Sequence, residues 1–365
     1  MEHIEQMSEV LGQYYHWDSR RIPFLGNMLS AIIRSRSVNM QKVAESIEGV
    51  AKMPSNYRRI QRVFKDQEFD MDMTARLLST VLPENEKWVL AMDRTNWKLG
   101  QSNINLLVLA VAYNGMAIPL MWKFLTKEEK IDDKTVTVGK RGNSDTAERK
   151  QLIERFIELF GAERIGALTA DREFIGKEWF EWLNEQKVPF VIRIRNNSLI
   201  KEEQFDTTHV GELFSYVRKN EFCAFGETEL FDTPLHLGGI RASKSDEPLI
   251  VVSNRPMDNK TITLYQKRWE IETMFGALKT RGFNFEESKI NEETKVEKLM
   301  ALLSISFIWS ILAGEFRQQE EPIVYKKNFQ YQNVQNQEHF QTWIGVAQKR
   351  IGQFHNQETG IFCVA

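Results

Sequence analysis

Three acidic residues could together form a catalytic site, because two of them end apolar stretches that are typical of buried strands. Asp93 ends the stretch KWVLAMD, Asp171 ends RIGALTAD, and Glu272 lies in a later segment with helical periodicity. A carboxylate at the end of a buried strand is costly unless it is hydrogen-bonded, paired or bound to a cation. Each acid alone is more typical of a helix cap or a surface charge. Together they predict a site for Mg²⁺ or Mn²⁺, which prefer oxygen ligands and can promote phosphodiester chemistry in pairs.

A second set of polar residues shares the segment YQKRWEIETMFGALK with Glu272. Tyr265, Arg268, Glu272 and Lys279 are separated by offsets of three, seven and fourteen residues. On a continuous helix these offsets fall within roughly 60° of one another. The spacing predicts one helix with an outward polar stripe, in which Arg268 and Lys279 would hold phosphates and Tyr265 would donate its hydroxyl to another phosphate. The neighbouring apolar stripe comprises Leu264, Ile271, Phe275 and Leu278.

The elements that carry these residues predict an α/β fold. From Trp88 onward the pattern indicates three antiparallel strands, a charged loop, and then helix, strand, helix and strand. This order favours a mixed sheet with helices packed on it. The helix over 146–160 is expected to begin after Ser144 or Asp145. Residues 197–248 alternate in short runs between turn residues and predict a β-rich insertion, and the stretch PLIVVSN returns to a core strand.

The first 85 residues read as helical. Two short helices are separated by a break near Lys52 to Ser55, and the second carries Arg58, Arg59 and Arg62. A helix, a short break and a basic helix suit a helix-turn-helix-like DNA reader. The same residues equally suit a solvated basic face on a helical bundle.

Composition limits the classes of function. The net charge of −2 means that any DNA binding must come from local basic patches. The two cysteines and six histidines lack the spacing of a zinc site. The acidic, polar N-terminus does not resemble a secretion signal. The apolar run 299–314 is shorter than the roughly 20 residues that span a bilayer, so a core helix, no membrane and a cytoplasmic location are expected.

The motifs together resemble those of bacterial insertion-sequence DDE transposases that carry a Tyr-x-x-Arg-x-x-x-Glu-x-x-x-x-x-x-Lys signature. The match is Tyr265, Arg268, Glu272 and Lys279, with DRTNW from Asp93 and TADREFIG around the second acid. The resemblance covers roughly residues 35 to 315. It implies a ribonuclease-H-like core with a β-rich insertion, and cut-and-paste transposition through a DNA hairpin.

The resemblance also implies roles and partners. Asp93, Asp171 and Glu272 would be the ligands of Mg²⁺, for which Mn²⁺ can substitute. Tyr265, Arg268 and Lys279 would contact the double-stranded DNA of the transposon ends, and the protein would be a homodimer in the synaptic complex. The alternatives are a metal-dependent nuclease on the same core, or an inactive DNA-binding inhibitor derived from a transposase.

One departure from the family concerns a base flipped out beside the hairpin. Some relatives hold it with a Trp in the insertion, whereas this chain has no Trp between Trp182 and Trp269. Trp269 could stack on the base or could be a core aromatic. The remaining candidates are Phe222, Phe225 and Phe231.

Three further polar residues lie near the acids. Arg172, beside Asp171, is expected to pair with an acid rather than contact DNA. Asn143 and Ser144 could approach DNA, but capping of the following helix is favoured.

We therefore predict three regions. They are a helical DNA-binding domain (1–85), a catalytic domain (86–316) interrupted by the insertion 197–248, and a tail (317–365). The tail has an apolar helical face that could pack on its own core or on a second chain, formed by Phe340, Trp343, Ile344, Ala347 and Ile351.

Overall fold

The computed structural model describes residues 2–99, 102–131, 134–200, 208–241 and 247–320. The helices are α1 (Glu2–Tyr14), α2 (Ile22–Ser35), α3 (Met40–Ser46), α4 (Met53–Asp66), α5 (Met71–Ser79), α6 (Thr146–Phe160), α7 (Lys177–Glu185), α8 (Val210–Leu213), α9 (Asn259–Gln266), α10 (Trp269–Leu278) and α11 (Glu293–Glu320). The strands are β1 (Trp88–Leu99), β2 (Ser102–Tyr113), β3 (Met116–Phe124), β4 (Thr126–Ile131), β5 (Lys134–Gly139), β6 (Ile165–Ala170), β7 (Phe190–Arg193), β8 (Leu199–Ile200), β9 (Thr208–His209), β10 (Phe222–Leu230), β11 (Thr233–Ile240) and β12 (Leu249–Ser253).

The chain forms two compact units. Among the described residues, the helical unit comprises 2–82, 99, 102 and 273–320, and the sheet unit comprises those of 83–98 and 103–272. The first division lies close to the predicted boundary after residue 85, and the second falls within α10. The predicted tail from residue 321 onward, with its apolar helix face, lies outside the described residues, and the three-region division stays a prediction.

A ten-stranded sheet is the centre of the sheet unit, in the order β3-β2-β1-β6-β7-β12-β11-β10-β8-β9. The first five strands form a ribonuclease-H-like half, in which β2 and β3 are antiparallel while β1, β6 and β7 run parallel. Parallel strands need crossover connections, and α6 and α7 supply them. The predicted α/β fold with a mixed sheet and flanking helices is confirmed.

The insertion continues the sheet instead of standing apart from it. β12 pairs antiparallel with β7 on one side and with β11 on the other. β10 and β11 form a long hairpin, and the short strands β8 and β9 close the edge. The predicted β-rich character of this region and the buried return strand at 249–253 agree with the structure.

The charged stretch after β3 is a β-hairpin, so the prediction of a loop was wrong. β4 and β5 pair antiparallel over six residues each, and they form a separate two-stranded sheet. Thr and Val alternate along the second strand, which favours a strand despite the charged residues around it. Helix α6 then begins after Asp145, whose side chain and that of Glu148 form a capping box.

The helical unit contains the predicted helix, break and basic helix as α3, residues 47–52, and α4. Asn39 caps α3 by accepting hydrogen bonds from the N–H groups of Gln41 and Lys42, and Pro54 lies in the first turn of α4. Residues Glu293–Glu315 of α11 are long and apolar enough to cross a membrane by length and composition, and 72% of the most apolar window is buried within the protein. This burial is typical of a core helix, and α11 packs against α2 and α5.

Candidate active site

Asp93 and Asp171 lie side by side because their strands are parallel neighbours in register. Met92 of β1 is opposite Ala170, the last residue of β6, so Asp93 comes one residue after the paired stretch of β1 and Asp171 directly follows β6. The expectation that Asp93 ends its strand was wrong, because β1 continues to Leu99 beyond its pairing with β6. Neighbouring strands are about 4.8 Å apart, so the two acids lie side by side at the point where β6 ends. The backbone N–H of Arg94 donates to Asp93 Oδ1 at 2.8 Å, and that of Arg172 donates to Asp171 Oδ1 at 2.8 Å. Each carboxylate is therefore oriented by the residue that follows it.

Arg268 joins the third acid to the first. Its guanidinium is 3.4 Å from Asp93 Oδ2 through Nη1 and 2.7 Å from Glu272 Oε1 through Nη2. The Arg268 side chain is only 4% exposed, whereas that of Glu272 is 41% exposed. The Nε–H of Arg268 is buried and has no acceptor among the described residues. One guanidinium therefore contacts two carboxylates, and its Nε–H has no acceptor among the described residues.

A turn between α9 and α10 creates this arrangement, so the prediction of one continuous helix was wrong. Arg268 N–H donates to the Tyr265 carbonyl at 2.9 Å, and Ile271 N–H donates to the Arg268 carbonyl at 3.1 Å. These three-residue spacings are those of a 3₁₀ turn, in which side chains three residues apart eclipse one another. The Arg268 guanidinium accordingly lies 5.9 Å from the centre of the Tyr265 ring.

The N-terminal part of the predicted polar stripe, which includes Tyr265, does not face outward. Tyr265 is 1% exposed and packs in a cluster with Val191, Val251 and Ile262 of the sheet unit. The outward stripe was predicted from the angles of a regular helix, which the tighter turn changes. The apolar stripe is buried as predicted at Ile271, Phe275 and Leu278, and Leu264 is partly buried.

Burial controls the ionisation of two groups in the site. It raises the pKa of Asp93 to about 6, although the Arg94 N–H and the Arg268 charge oppose the rise. Burial also raises the pKa of Tyr265 to about 12. A carboxylate with a raised pKa gains most from a nearby positive charge.

The acids match a hard divalent cation in their chemistry. All three offer carboxylate oxygens, two of them at one sheet edge, and the desolvated Asp93 favours a cationic partner. Within the described part of the chain, no three His, Cys, Asp or Glu side chains are grouped to hold a metal ion. In the structure the positive charge between Asp93 and Glu272 is that of Arg268.

The remaining predicted DNA contacts have different environments. Lys279 follows the end of α10, belongs to the helical unit, and pairs with Glu286 at 3.3 Å. Arg58 and Arg62 are exposed on α4. The Arg59 guanidinium lies 3.9 Å from the centre of the Phe24 ring, which is a packing contact. None of these positions is shown to contact DNA.

The candidates for holding a flipped base also differ in exposure. Trp269 is 48% exposed, with the Arg268 guanidinium 5.4 Å from its ring centre, so it is not a core aromatic. Phe222 is partly buried. Phe225 packs edge-on against Phe214, and Phe231 packs against Phe180.

Two expectations about residues near the acids were wrong. Arg172 is exposed and forms no ion pair with the described residues. Asn143 and Ser144 do not cap α6, because Asp145 does so. Their side chains instead accept hydrogen bonds from Arg94 and Arg149.

Sequence reasoning missed three charged residues beside the acids. Arg193, at the end of β7, lies 3.8 Å from Asp171 Oδ1. Arg94 and Glu173 form an ion pair at 2.5 Å. Only their positions in the chain could have pointed to them. Arg193 ends the strand next to β6, and Arg94 and Glu173 lie within two residues of an acid.

A ribonuclease-H-like sheet that presents two acids on its central parallel strands, with a third on a following helix, defines a class of enzymes that transfer nucleotidyl groups. The family model for the transposase DDE domain matches residues 84–309, more than half of the chain. The chain belongs to this family, and its function is that of a DDE transposase acting on DNA. Among curated proteins no match was found.

Proposed function

We propose that the protein moves a bacterial insertion sequence by cut-and-paste transposition through a hairpin intermediate, in the cytoplasm. The observation that carries the proposal is the convergence of the acids. β1 and β6 place Asp93 beside Asp171, and Arg268 connects Asp93 to Glu272. The spacing of Tyr265, Arg268, Glu272 and Lys279 supports the narrower assignment to the hairpin-forming group.

Asp93, Asp171 and Glu272 are the proposed ligands for Mg²⁺, with Mn²⁺ as a substitute. The bound cations would make the attacking oxygen more nucleophilic and stabilise the leaving oxygen. The carboxylates must be ionised for this role, and the Arg268 charge favours the ionised form of Asp93. The Arg193 guanidinium lies 3.8 Å from Asp171 Oδ1.

Arg268 and Arg193 have a second proposed role toward the DNA phosphate. A guanidinium binds phosphate oxygens through paired N–H groups, and its charge counts for more where water is excluded. Both arginines would stabilise the charge that builds on the phosphate as the bond to the leaving oxygen breaks.

The proposed reaction is a series of in-line transfers at one site. Water attacks the phosphodiester at the element end and releases a 3′-hydroxyl. That hydroxyl attacks the opposite strand to form a hairpin, water reopens the hairpin, and the same hydroxyl attacks target DNA. Because each step exchanges one oxygen for another on phosphorus, the same residues can serve all four steps.

The DNA contacts proposed outside the acid site have two sources. The exposed face of α4 carries Arg58 and Arg62, and Trp269 is an exposed aromatic beside Arg268 for stacking on a base. Lys279 is proposed as a contact to transposon-end DNA on the spacing of the signature alone. A homodimer would process the two element ends together.

The test is incubation with linear DNA that carries both ends of the element encoding the protein, with Mg²⁺. We expect nicked strands, hairpins and strand-transfer products on a denaturing gel. Nicks without hairpins or joined products would indicate the nuclease alternative. Retarded DNA without metal-dependent cleavage would indicate an inactive binding protein, and either outcome would overturn the proposal.

A further inference from the structure

We propose that Arg94 and Glu173 are positioning residues for the transposase reaction. Their ion pair fixes β1, at the point where its pairing with β6 ends, to the residues that follow β6, and it seats residues 140–145 beside the acids. We call Arg94, Glu173, Asn105, Arg149 and the segment 140–145 the strand-end clasp. The inference rests on the proposed function of Asp93 and Asp171 as metal ligands.

The Arg94 guanidinium uses its whole donor set within the clasp. Nε donates to Glu173 Oε1 at 2.5 Å, and Nη2 donates to Glu173 Oε2 at 2.6 Å, which is a two-pronged pair. Nη2 also donates to Asn143 Oδ1 at 3.0 Å. Nη1 donates to the Gly142 carbonyl at 2.6 Å and to Asn105 Oδ1 at 3.3 Å. A guanidinium has five N–H donors, so this side chain is fixed in one orientation.

Arg149 and Asn105 hold the same segment from two other elements. Arg149, on α6, donates to Ser144 Oγ at 3.0 Å, to the Ser144 carbonyl at 2.6 Å and to the Glu173 carbonyl at 3.1 Å. Asn105, on β2, donates to the carbonyls of Lys140 at 3.1 Å and Gly142 at 3.0 Å. Residues of β1, β2 and α6 thus bind carbonyls and side chains of the segment, and Glu173 binds the two arginines that hold it.

The clasp is connected to the acids through the backbone. Arg94 is the residue whose N–H orients Asp93, and Glu173 is two residues beyond Asp171 in the turn whose first N–H orients that acid. A shift of either clasp side chain therefore moves a donor that aims a carboxylate. The pair joins residues 79 positions apart in sequence, so it ties β1 directly to the turn that follows β6.

Burial makes the pair strong enough for this role. The Arg94 side chain is 9% exposed and that of Glu173 is 22% exposed. Exposed ion pairs contribute little, whereas removal of one partner from a buried pair leaves an uncompensated charge. Arg94 and Glu173 would then act through the acids, and we expect DNA binding to be retained in their variants.

The test uses the full-length protein with Glu173→Gln and Arg94→Lys. Gln keeps the shape of Glu without its charge, and Lys keeps the charge of Arg without its fork. The matched control is Glu178→Gln, which breaks the Lys150–Glu178 pair of 2.9 Å between α6 and α7, away from the strand ends. Mn²⁺ binding to the free protein is measured by electron paramagnetic resonance, and cleavage of end DNA is measured against Mn²⁺ concentration.

We expect Glu173→Gln and Arg94→Lys to weaken Mn²⁺ binding and raise the half-saturating Mn²⁺ concentration by about 10-fold, in line with residues that orient metal ligands. End binding and the Glu178→Gln control should stay near wild type. The double variant R94E/E173R should recover part of the Mn²⁺ affinity by restoring the pair in reverse.

Unchanged Mn²⁺ binding in folded Glu173→Gln and Arg94→Lys proteins would overturn the inference, even if activity falls. A lower thermal midpoint with an unchanged Mn²⁺ requirement would assign the clasp to stability alone. If Glu173→Gln does not fold, Arg94→Lys decides the question. Failure of the proposed function looks different, because wild type itself would then bind Mn²⁺ no better than Asp171→Asn.

Discussion

Arg268 is central at the scale of single residues, because one guanidinium contacts the first and third acids of the site. Burial alone would lower its pKa, but Tyr265 and Glu272 raise it, so the group remains charged. A charged group buried this deeply requires its partners, and it fixes Glu272 relative to Asp93. The residue predicted to hold phosphate thus also organises the acids.

The three acids give the most direct residue-scale prediction. Asp93→Asn, Asp171→Asn and Glu272→Gln should each reduce DNA cleavage by more than about 100-fold, since an amide is a far weaker ligand for Mg²⁺ than a carboxylate. End binding in a gel-shift assay should persist or tighten, because negative charge near the DNA is removed. The exposed acid variant Glu181→Gln is the control. A variant that cleaves at the wild-type rate would exclude its residue from the site.

Glu270 gives a pH-dependent prediction for stability. Burial raises its pKa to about 7 from 4.5, against the effects of Lys267 and the N–H groups of Tyr113 and Gly115, and its Oε2 is buried without a hydrogen bond to the described residues. A carboxyl group whose pKa is higher in the folded protein than in the unfolded chain leaves the protein most stable below the unfolded pKa, where the group is protonated in both states. This part of the stability is lost as the pH rises through the folded pKa, because the buried group must then ionise.

Glu270→Gln should therefore stabilise the protein by about 2 kcal/mol at pH 8 and by less than about 1 kcal/mol at pH 5. The measurement is the unfolding free energy from urea titrations at both pH values. Glu181→Gln serves again as an exposed control. An equal effect of Glu270→Gln at the two pH values would show that ionisation of this carboxylate is not what costs stability.

At the scale of elements, the sequence was most informative where hydrophobic periodicity and turn residues agree. The strands that carry Asp93 and Asp171, the helices α6 and α7, and the break before α4 were all predictable on that basis. The turn at Lys267 and Arg268 was not, because no Gly or Pro marks it and the residues around it are good helix formers. Its position depends on the tertiary contacts of Tyr265 and Arg268.

The candidate site, like the fold, was predictable from the sequence only in part. The acids were visible because Asp93 and Asp171 follow apolar runs and Glu272 lies in a segment with helical periodicity. Arg193 and the pair Arg94–Glu173 were not, since a charged residue in or after a strand shows no partner in the sequence. Only the register of β1, β6 and β7 brings residues so far apart in sequence together.

Helix α4 gives the element-scale prediction. If Arg58 and Arg62 contact phosphates, Arg58→Gln and Arg62→Gln should each weaken DNA binding and lower the slope of log K against log salt by about one unit. Arg76→Gln, an exposed change on α5, is the matched control. Arg59→Gln should instead lower the thermal midpoint, because Arg59 packs on Phe24. Unchanged slopes for Arg58 and Arg62 would favour a solvated basic face.

At the scale of the whole molecule, an element has two ends, and the proposed reaction needs both to be cut before it moves. Two chains are the minimum if each site processes one end. The net charge near zero and the lack of a long apolar heptad repeat argue against a constitutive coiled-coil dimer. Pairing of two protein chains is therefore expected once DNA ends are bound.

The tail provides the test of that expectation. Deletion from Pro322 onward removes the predicted apolar helix face and should spare single-end binding while reducing paired-end complexes. Native mass measurement on end DNA distinguishes one chain on one end from two chains on two ends. A full yield of two-chain, two-end complexes from the truncated protein would exclude a role of the tail in pairing.

The pairing of β7 with β12 has a consequence for how such proteins diversify. Val251 of β12 lies opposite Arg193 of β7, so the chain leaves the five-stranded ribonuclease-H-like half after β7 and returns beside the same strand. The insertion between β7 and β12 therefore starts and ends at neighbouring positions. Its length does not affect the distance between Asp171 and Glu272. Residues 194–248 can therefore be lengthened, shortened or exchanged between homologues as a cassette, while the chemistry encoded on either side stays in place.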